Sequence, residues 1–227
     1  MSRLKTLYQT KDFFIVHKPS GLVVYADSPE MKKFCCKTML EQQTKKKLYP
    51  VHRLDRDTCG VLAYAFSGAM AARLTELFRS RAVRKQYLAI VHGEIAAKGV
   101  IDRPLSKNKE KTTQPARTDF FRLGVKEILV GEEKRFYSLV RIEPKTGRYH
   151  QIRRHLRMIE HPIVGDPEYG NQWDARYFEK HFGISRTLLS ATDLIFPDLQ
   201  KGLPVHVHTK PDGDFLKLCT TWDWNLK

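Results

Sequence analysis

Apolar residues in this chain fall mostly in short runs bounded by polar ones, the pattern of strands rather than of long helices. Such runs occupy residues 13–17, 61–66, 87–92, 128–130, 136–142, 188–196 and 205–208. Helical spacing stands out in two places. After Ser67, a residue type suited to an N-cap, Met70, Leu74, Leu77 and Phe78 recur at i, i+4, i+7 and i+8, which predicts a helix over residues 68–79. Between residues 149 and 159, Ile152, Leu156 and Ile159 share one face, while His150, Arg153, Arg154 and Arg157 share the other. That helix has a core side and a cationic side. Many strands with few, scattered helices predict an α+β fold rather than a regular βαβ array.

Length and composition add bounds to this picture. A chain of 227 residues, 41% of them hydrophobic, can bury one substantial core. No internal repeat, Gly/Ser linker or low-complexity block marks a boundary, so a single domain over residues 1–227 is expected. The polar connection between Ser106 and Pro115 lacks periodicity and reads as a surface loop. The N-terminus lacks the apolar core of a signal peptide, and no stretch approaches the ~18 continuous apolar residues that cross a bilayer. A soluble, cytoplasmic protein is expected. The four cysteines, Cys35, Cys36, Cys59 and Cys219, show no CxxC spacing and read as reduced thiols that hold no metal.

Charge points to a partner. Forty Lys and Arg against 25 Asp and Glu leave a formal charge of +15, which favours a polyanion, nucleic acid or an anionic surface, without saying which. There is no GxGxxG loop and no GxxxxGK followed by Ser or Thr, so no nucleotide cofactor is expected.

Two clusters carry candidate chemistry. In Val51-His52-Arg53-Leu54-Asp55-Arg56-Asp57-Thr58-Cys59-Gly60, two carboxylates stand among arginines immediately before an apolar run. Arginine neighbours keep a carboxylate ionised, ready to attack a sugar carbon or to act as a general base. Spacing does not choose between Asp55 and Asp57, and a surface turn of mutually paired charges would look similar. The second cluster runs from Glu143 through Thr146, Gly147, Arg148, Tyr149 and His150 into Arg153, Arg154 and His155. Between Arg141 and Arg157 there are six Lys and Arg and one acid, Glu143. Such a row suits phosphate contacts, or one fixed arginine paired with a catalytic carboxylate. His206 and His208 share a strand face and are open to metal binding, though ordinary surface histidines fit the same pattern.

These clusters resemble the RluA family of pseudouridine synthases. Its signature HRLDxxTSG is met by residues 52–60, with Cys59 in place of the usual serine. A motif close to NKPxG is present as His17-Lys18-Pro19-Ser20-Gly21, with His17 in place of asparagine, and KxYxA as Lys85-Gln86-Tyr87-Leu88-Ala89. TGRxHQIRxH matches residues 146–155, and HPIxGDxxYG matches residues 161–170. The resemblance implies a mixed, largely antiparallel sheet with flanking helices and a catalytic cleft. It implies Asp55 as nucleophile, Tyr87 as the residue stacking on uracil and Arg153 as the partner of Asp55. Arg53 would fill the space a flipped base leaves, and His52, Arg148, Arg154 and Arg157 would meet RNA. Asp57 has no counterpart. No metal or organic cofactor is implied.

Within the family the chain is most similar to the bacterial TruC type, which modifies a T-stem uridine of tRNA. The shared wording is Glu143-Pro144-Lys145-Thr146-Gly147-Arg148, the doubled Arg153-Arg154 and His181-Phe182-Gly183. No separate N-terminal RNA-binding domain and a monomer are expected. Ribosomal RNA is the alternative substrate, and an RNA-binding protein that has lost turnover, or a glycoside hydrolase using Asp55 and Asp57, are the rivals from other classes.

Overall fold

The computed structural model describes residues 3–26, 28–106, 112–198 and 203–226. The middle of the polar connection, residues 107–111, lies outside them. In chain order the strands are β1 (Thr6–Gln9), β2 (Phe13–Lys18), β3 (Tyr49–Pro50), β4 (Cys59–Ala65), β5 (Arg84–His92) and β6 (Lys98–Asp102). Then come β7 (Leu105–Ser106), β8 (Thr113–Gln114), β9 (Arg117–Val130), β10 (Glu133–Pro144), β11 (Leu189–Pro197) and β12 (Pro204–His208). The helices are α1 (Cys36–Thr44), α2 (Gly68–Arg79), α3 (Gln151–Met158), α4 (Gln172–Phe182) and α5 (Gly213–Thr221), with a 3-10 turn at Glu30–Phe34. Each of the seven apolar runs forms strand through its middle, and the fold is α+β with largely antiparallel pairing. Among the described residues, no helix is long and apolar enough to cross a membrane.

Contacts divide the chain into two compact units, Met1–Lys85 with Ala191–Asp212, and Gln86–Ser190 with Gly213–Lys227. In the first unit the strand order is β1-β2-β4-β11, with β12 paired to β11 and β3 to β4. All of β4 and all of β2 except His17 are buried, as expected of strands covered on both faces. The two pair antiparallel from Phe13 opposite Ala65 to Lys18 opposite Gly60. The Ser67 hydroxyl caps α2 by accepting from the Met70 N–H at 3.2 Å. Leu74, Leu77 and Phe78 of that helix then face Phe13, Ile15 and Ala63 of the sheet.

Gly60 is a close-approach glycine. Its φ is +119°, and a Cβ there would lie 2.0 Å from the carbonyl oxygen of Ala191 on β11. Gly60→Ala is therefore expected to destabilise the protein by about 3 kcal/mol or more, measured as a lower urea midpoint at unchanged slope.

In the second unit the order is β5-β10-β9-β6, dominated by the long β9–β10 hairpin. Its core gathers Ile90, Tyr137, Leu139, Leu156, Phe178 and Trp222, with Phe178 and Trp222 within 5.0–5.7 Å of the Tyr137 ring or of each other. Buried Asp174 accepts from the Tyr137 hydroxyl at 2.8 Å and bonds His92 Nδ1 at 2.8 Å, so this carboxylate is satisfied on both oxygens.

Candidate active site

Asp55 lies in the turn leading into β4, a turn closed by the Thr58 N–H donating to the Asp55 carbonyl at 3.2 Å. The side chain is half-buried, while Arg53 and Arg56 are exposed. What holds this turn is the His17-Lys18-Pro19-Ser20-Gly21 segment at the end of β2. The Lys18 ammonium, fully buried, donates to the carbonyls of Arg56 (2.9 Å), Leu22 (2.7 Å) and Pro19 (3.1 Å). Ser20 Oγ donates to the Asp57 carbonyl at 2.9 Å, and the Gly21 N–H to the Arg56 carbonyl at 3.0 Å. Burial pulls the Lys18 pKa down to about 8, a shift partly offset by facing Cys36, Cys59, Asp57 and Asp212. Asp212 completes the floor, accepting from the Ser20 N–H at 3.1 Å and bonding His17 Nε2 at 2.7 Å. The substitution of asparagine by His17 thus keeps a hydrogen-bonding side chain at that position.

His52 has a structural task in this unit. Its Nε2 accepts from the Ala63 N–H at 3.1 Å and its ring stacks on Phe78 at 4.7 Å. Burial, then the nearby Lys85 charge, push its pKa down to about 3, so the ring is neutral near pH 7 and brings no positive charge to RNA.

Tyr87 and Arg153 belong to the second unit. Tyr87, on β5 opposite Ile142 of β10, is half-buried with its ring packed on the core. Arg153, on α3, donates from Nε to Asp166 Oδ2 at 2.6 Å and from Nη2 to Oδ1 at 2.7 Å, a bidentate pair among buried side chains. Asp166 Oδ1 also accepts the N–H groups of Glu168 and Tyr169, both at 3.0 Å. Burial raises the Asp166 pKa, but the hydrogen bonds from Arg153, Tyr169 and Glu168 outweigh it and leave the carboxyl below its ordinary range. The Arg153 guanidinium also lies 5.0 Å from the Tyr169 ring.

The cationic face expected of α3 is corrected by this arrangement. Arg153 and His155 are buried, and Arg157 is exposed. The helix is enclosed on its polar side because each buried polar group finds a partner. His155 Nε2 donates to the Arg103 carbonyl, and Nδ1 meets Thr118 Oγ1, each at 2.9 Å. Gln151 Nε2 donates to Thr118 Oγ1 at 3.0 Å, and its Oε1 accepts from the Thr146 hydroxyl at 2.6 Å. Thr146, Gln151 and His155 of the second cluster therefore pin α3 to β9, while Arg153 is held from the Asp166 turn.

The remaining arginines divide. Arg154 donates to the carbonyl and hydroxyl of Ser106 at 2.9 and 3.1 Å, and Arg148 Nε to the Pro115 carbonyl at 3.2 Å. Both ends of the polar connection are thus gripped by candidate RNA-binding arginines. His206 Nε2 and His208 Nδ1 both bond Asp193 Oδ1, at 2.7 and 3.0 Å. Among the described residues no group of three or more His, Cys, Asp or Glu is arranged to hold a metal ion. The four cysteines are buried.

Sequence reasoning assigned no role to Lys18 or Asp166. A lysine ending an apolar strand and an aspartate inside a Gly-Asp-Pro turn were the available signals.

The fold is that of enzymes that isomerise a base within RNA. The structure is similar over 92% of the chain to a solved human structure described as RNA Pseudouridylate Synthase Domain Containing 1, covering 84% of it with a TM-score of 0.73 and 26% identity. Residues 12–158, from just before β2 to the end of α3, match the family model described as RNA pseudouridylate synthase, and the chain belongs to that family. A protein of Pasteurella multocida (strain Pm70) named tRNA pseudouridine synthase C is 36% identical over 98% of each chain. One of the same name from Haemophilus ducreyi (strain 35000HP / ATCC 700724) is 35% identical over 98% of this chain and 97% of its own.

Proposed function

We propose that this protein converts uridine to pseudouridine in tRNA, at a T-stem position, with its two units acting as one monomeric catalytic domain. The observation that carries the substrate class is the end-to-end match to relatives named for tRNA. The mechanism rests on Asp55, in a turn braced from below by a buried lysine.

The target base is stacked in RNA and must be extruded, which costs a few kcal/mol. The exposed guanidinium of Arg53 fills the vacated space, and Arg148, Arg154 and Arg157 meet phosphate. Ionised Asp55 then initiates cleavage of the bond between N1 and the ribose C1′, by attack at C1′ or by assisting glycal formation. The uracil turns, C5 bonds to C1′, and the C5 proton leaves. Tyr87, by the family resemblance, stacks on the uracil during the turn and takes part in that proton removal. Arg153, held by Asp166, is the arginine that the family resemblance assigns as the partner of the catalytic aspartate. Substrate and product are isomers, so no electron carrier enters the balance.

The test is tritium release from transcripts labelled at C5 of uridine, comparing tRNA with ribosomal RNA fragments. Release from tRNA, lost when the T-stem uridine is replaced by cytidine, is the expected result. Release from ribosomal RNA alone would keep the reaction and overturn the substrate. No release from any RNA would favour an RNA-binding protein without turnover.

A further inference from the structure

We propose that Tyr25 and residues 28–37 form an additional RNA-contact surface beside the Asp55 turn, stacking Tyr25 and Phe34 on unpaired bases and setting Lys32 and Lys33 against phosphate. The proposal rests on RNA being the substrate and adds where a second part of that RNA is held.

The segment is tied to the catalytic turn at its root. Gly21 and Lys18 both donate to the Arg56 carbonyl, and Lys18 also takes the Leu22 carbonyl. The chain then leaves and returns through a closed base. Val23 bridges Cys35, the Cys36 N–H donates to the Val23 carbonyl at 2.8 Å, and the Lys37 N–H to the Val24 carbonyl at 3.2 Å. The Tyr64 hydroxyl, from within β4, donates to that same Val24 carbonyl at 3.0 Å. Val24, Cys35 and Cys36 are buried.

Between those fixed ends Tyr25, Met31 and Phe34 turn outward. Tyr25 is 41% exposed, Met31 36% and Phe34 47%. They are three of the nine large hydrophobics exposed among the described residues, gathered within ten positions of sequence. Scattered exposed apolar residues need no explanation, but a cluster on an anchored base does. Lys32 and Lys33 lie between Met31 and Phe34, and the Lys33 ammonium lies 5.1 Å from the centre of the Phe34 ring. Flat apolar faces alternating with cations fit one chemistry well: a single-stranded or looped polynucleotide, which offers base faces and phosphates in alternation. Neither feature is used by the reaction at Asp55.

The test uses the full chain carrying Asp55→Asn, so that tRNA binds without turnover, and measures affinity by fluorescence anisotropy across a salt series. Tyr25→Ala with Phe34→Ala is expected to weaken binding about five- to tenfold at an unchanged salt slope, since stacking carries no counterion release. Lys32→Ala with Lys33→Ala is expected to weaken binding and to flatten the slope by about 1–2. Lys45→Ala with Lys46→Ala, an equal loss of charge at the far end of α1, serves as the control and should change affinity less than about twofold. In otherwise wild-type protein the aromatic pair should raise KM and leave kcat within about twofold. Unchanged affinity in the aromatic pair, or an equal loss in the control pair, overturns the surface. Tritium release by wild-type protein reports separately on the proposed function, so the two readings fail independently.

Discussion

Asp55→Asn protein is expected to release no measurable tritium, a loss of at least about 10,000-fold in kcat, while its affinity for tRNA stays within about threefold. The substitution preserves size and removes only the ionised oxygen that starts glycosidic cleavage. Binding should survive because the braces of the turn run through main-chain groups. Lys18, Ser20 and Gly21 all donate to the carbonyls of Arg56 and Asp57. Asp57→Asn, two residues on in the same turn, provides the contrast and should keep activity within about tenfold. Equal losses in the two variants would show that the turn needs its whole negative charge, and full activity in Asp55→Asn would refute the mechanism.

The second large effect is expected at Asp166→Ala. The Arg153–Asp166 pair is bidentate and buried, and removing one partner of such a pair costs about 3–5 kcal/mol, because a guanidinium is left buried without its carboxylate. For a chain of this size that is a fall of roughly 10 °C in Tm. Activity should fall as well, since Arg153 loses the group that fixes its orientation. The same pair gives a sign to the pH dependence. The folded Asp166 pKa lies below its unfolded value, so the stabilisation is complete above the ordinary carboxylate range and is lost as pH falls through the folded value. His52 acts in the same direction over a higher window, from its unfolded value near 6.5 down to about 3. Acid titration followed by circular dichroism should therefore show stability declining below about pH 6 and steepening below about pH 4, and His52→Gln should flatten the upper part alone. A Tm for Asp166→Ala within about 2 °C of wild type would show that Arg153 does not depend on this carboxylate.

Much of the sheet was legible because its central strands are buried on both faces and so read as continuous apolar runs. β2 and β4 are of this kind, β5 is so only over Ala89, Ile90 and Val91, and β11 is largely buried although Ser190, Thr192 and Asp193 interrupt its apolar run. β9 was seen only at its last three residues, because its burial alternates irregularly and much of it is half-exposed. α2 was read at its true bounds, since Ser67 caps it and its apolar spacing is clean. α4 was missed: its core contacts come from Asp174 and Phe178, among aromatic residues with little helical preference of their own. At the site, charged motifs mark the segments but do not show which partner each side chain meets. Lone sequence positions do not reveal that an arginine row is split between a buried carboxylate partner, two loop anchors and solvent, or that His52 is turned inward to a main-chain amide.

The grip of Arg154 on Ser106 and of Arg148 on Pro115 bears on how the protein can change over evolution. Both ends of the connection are fastened by side chains from the α3 region, so its attachment does not depend on its own composition or length. Doubling the length of a flexible loop with fixed ends costs only about 0.6 kcal/mol. Insertions there would leave β9, α3 and the Arg153–Asp166 pair undisturbed, so the connection can be lengthened or recoded while the residues that carry the chemistry stay as they are.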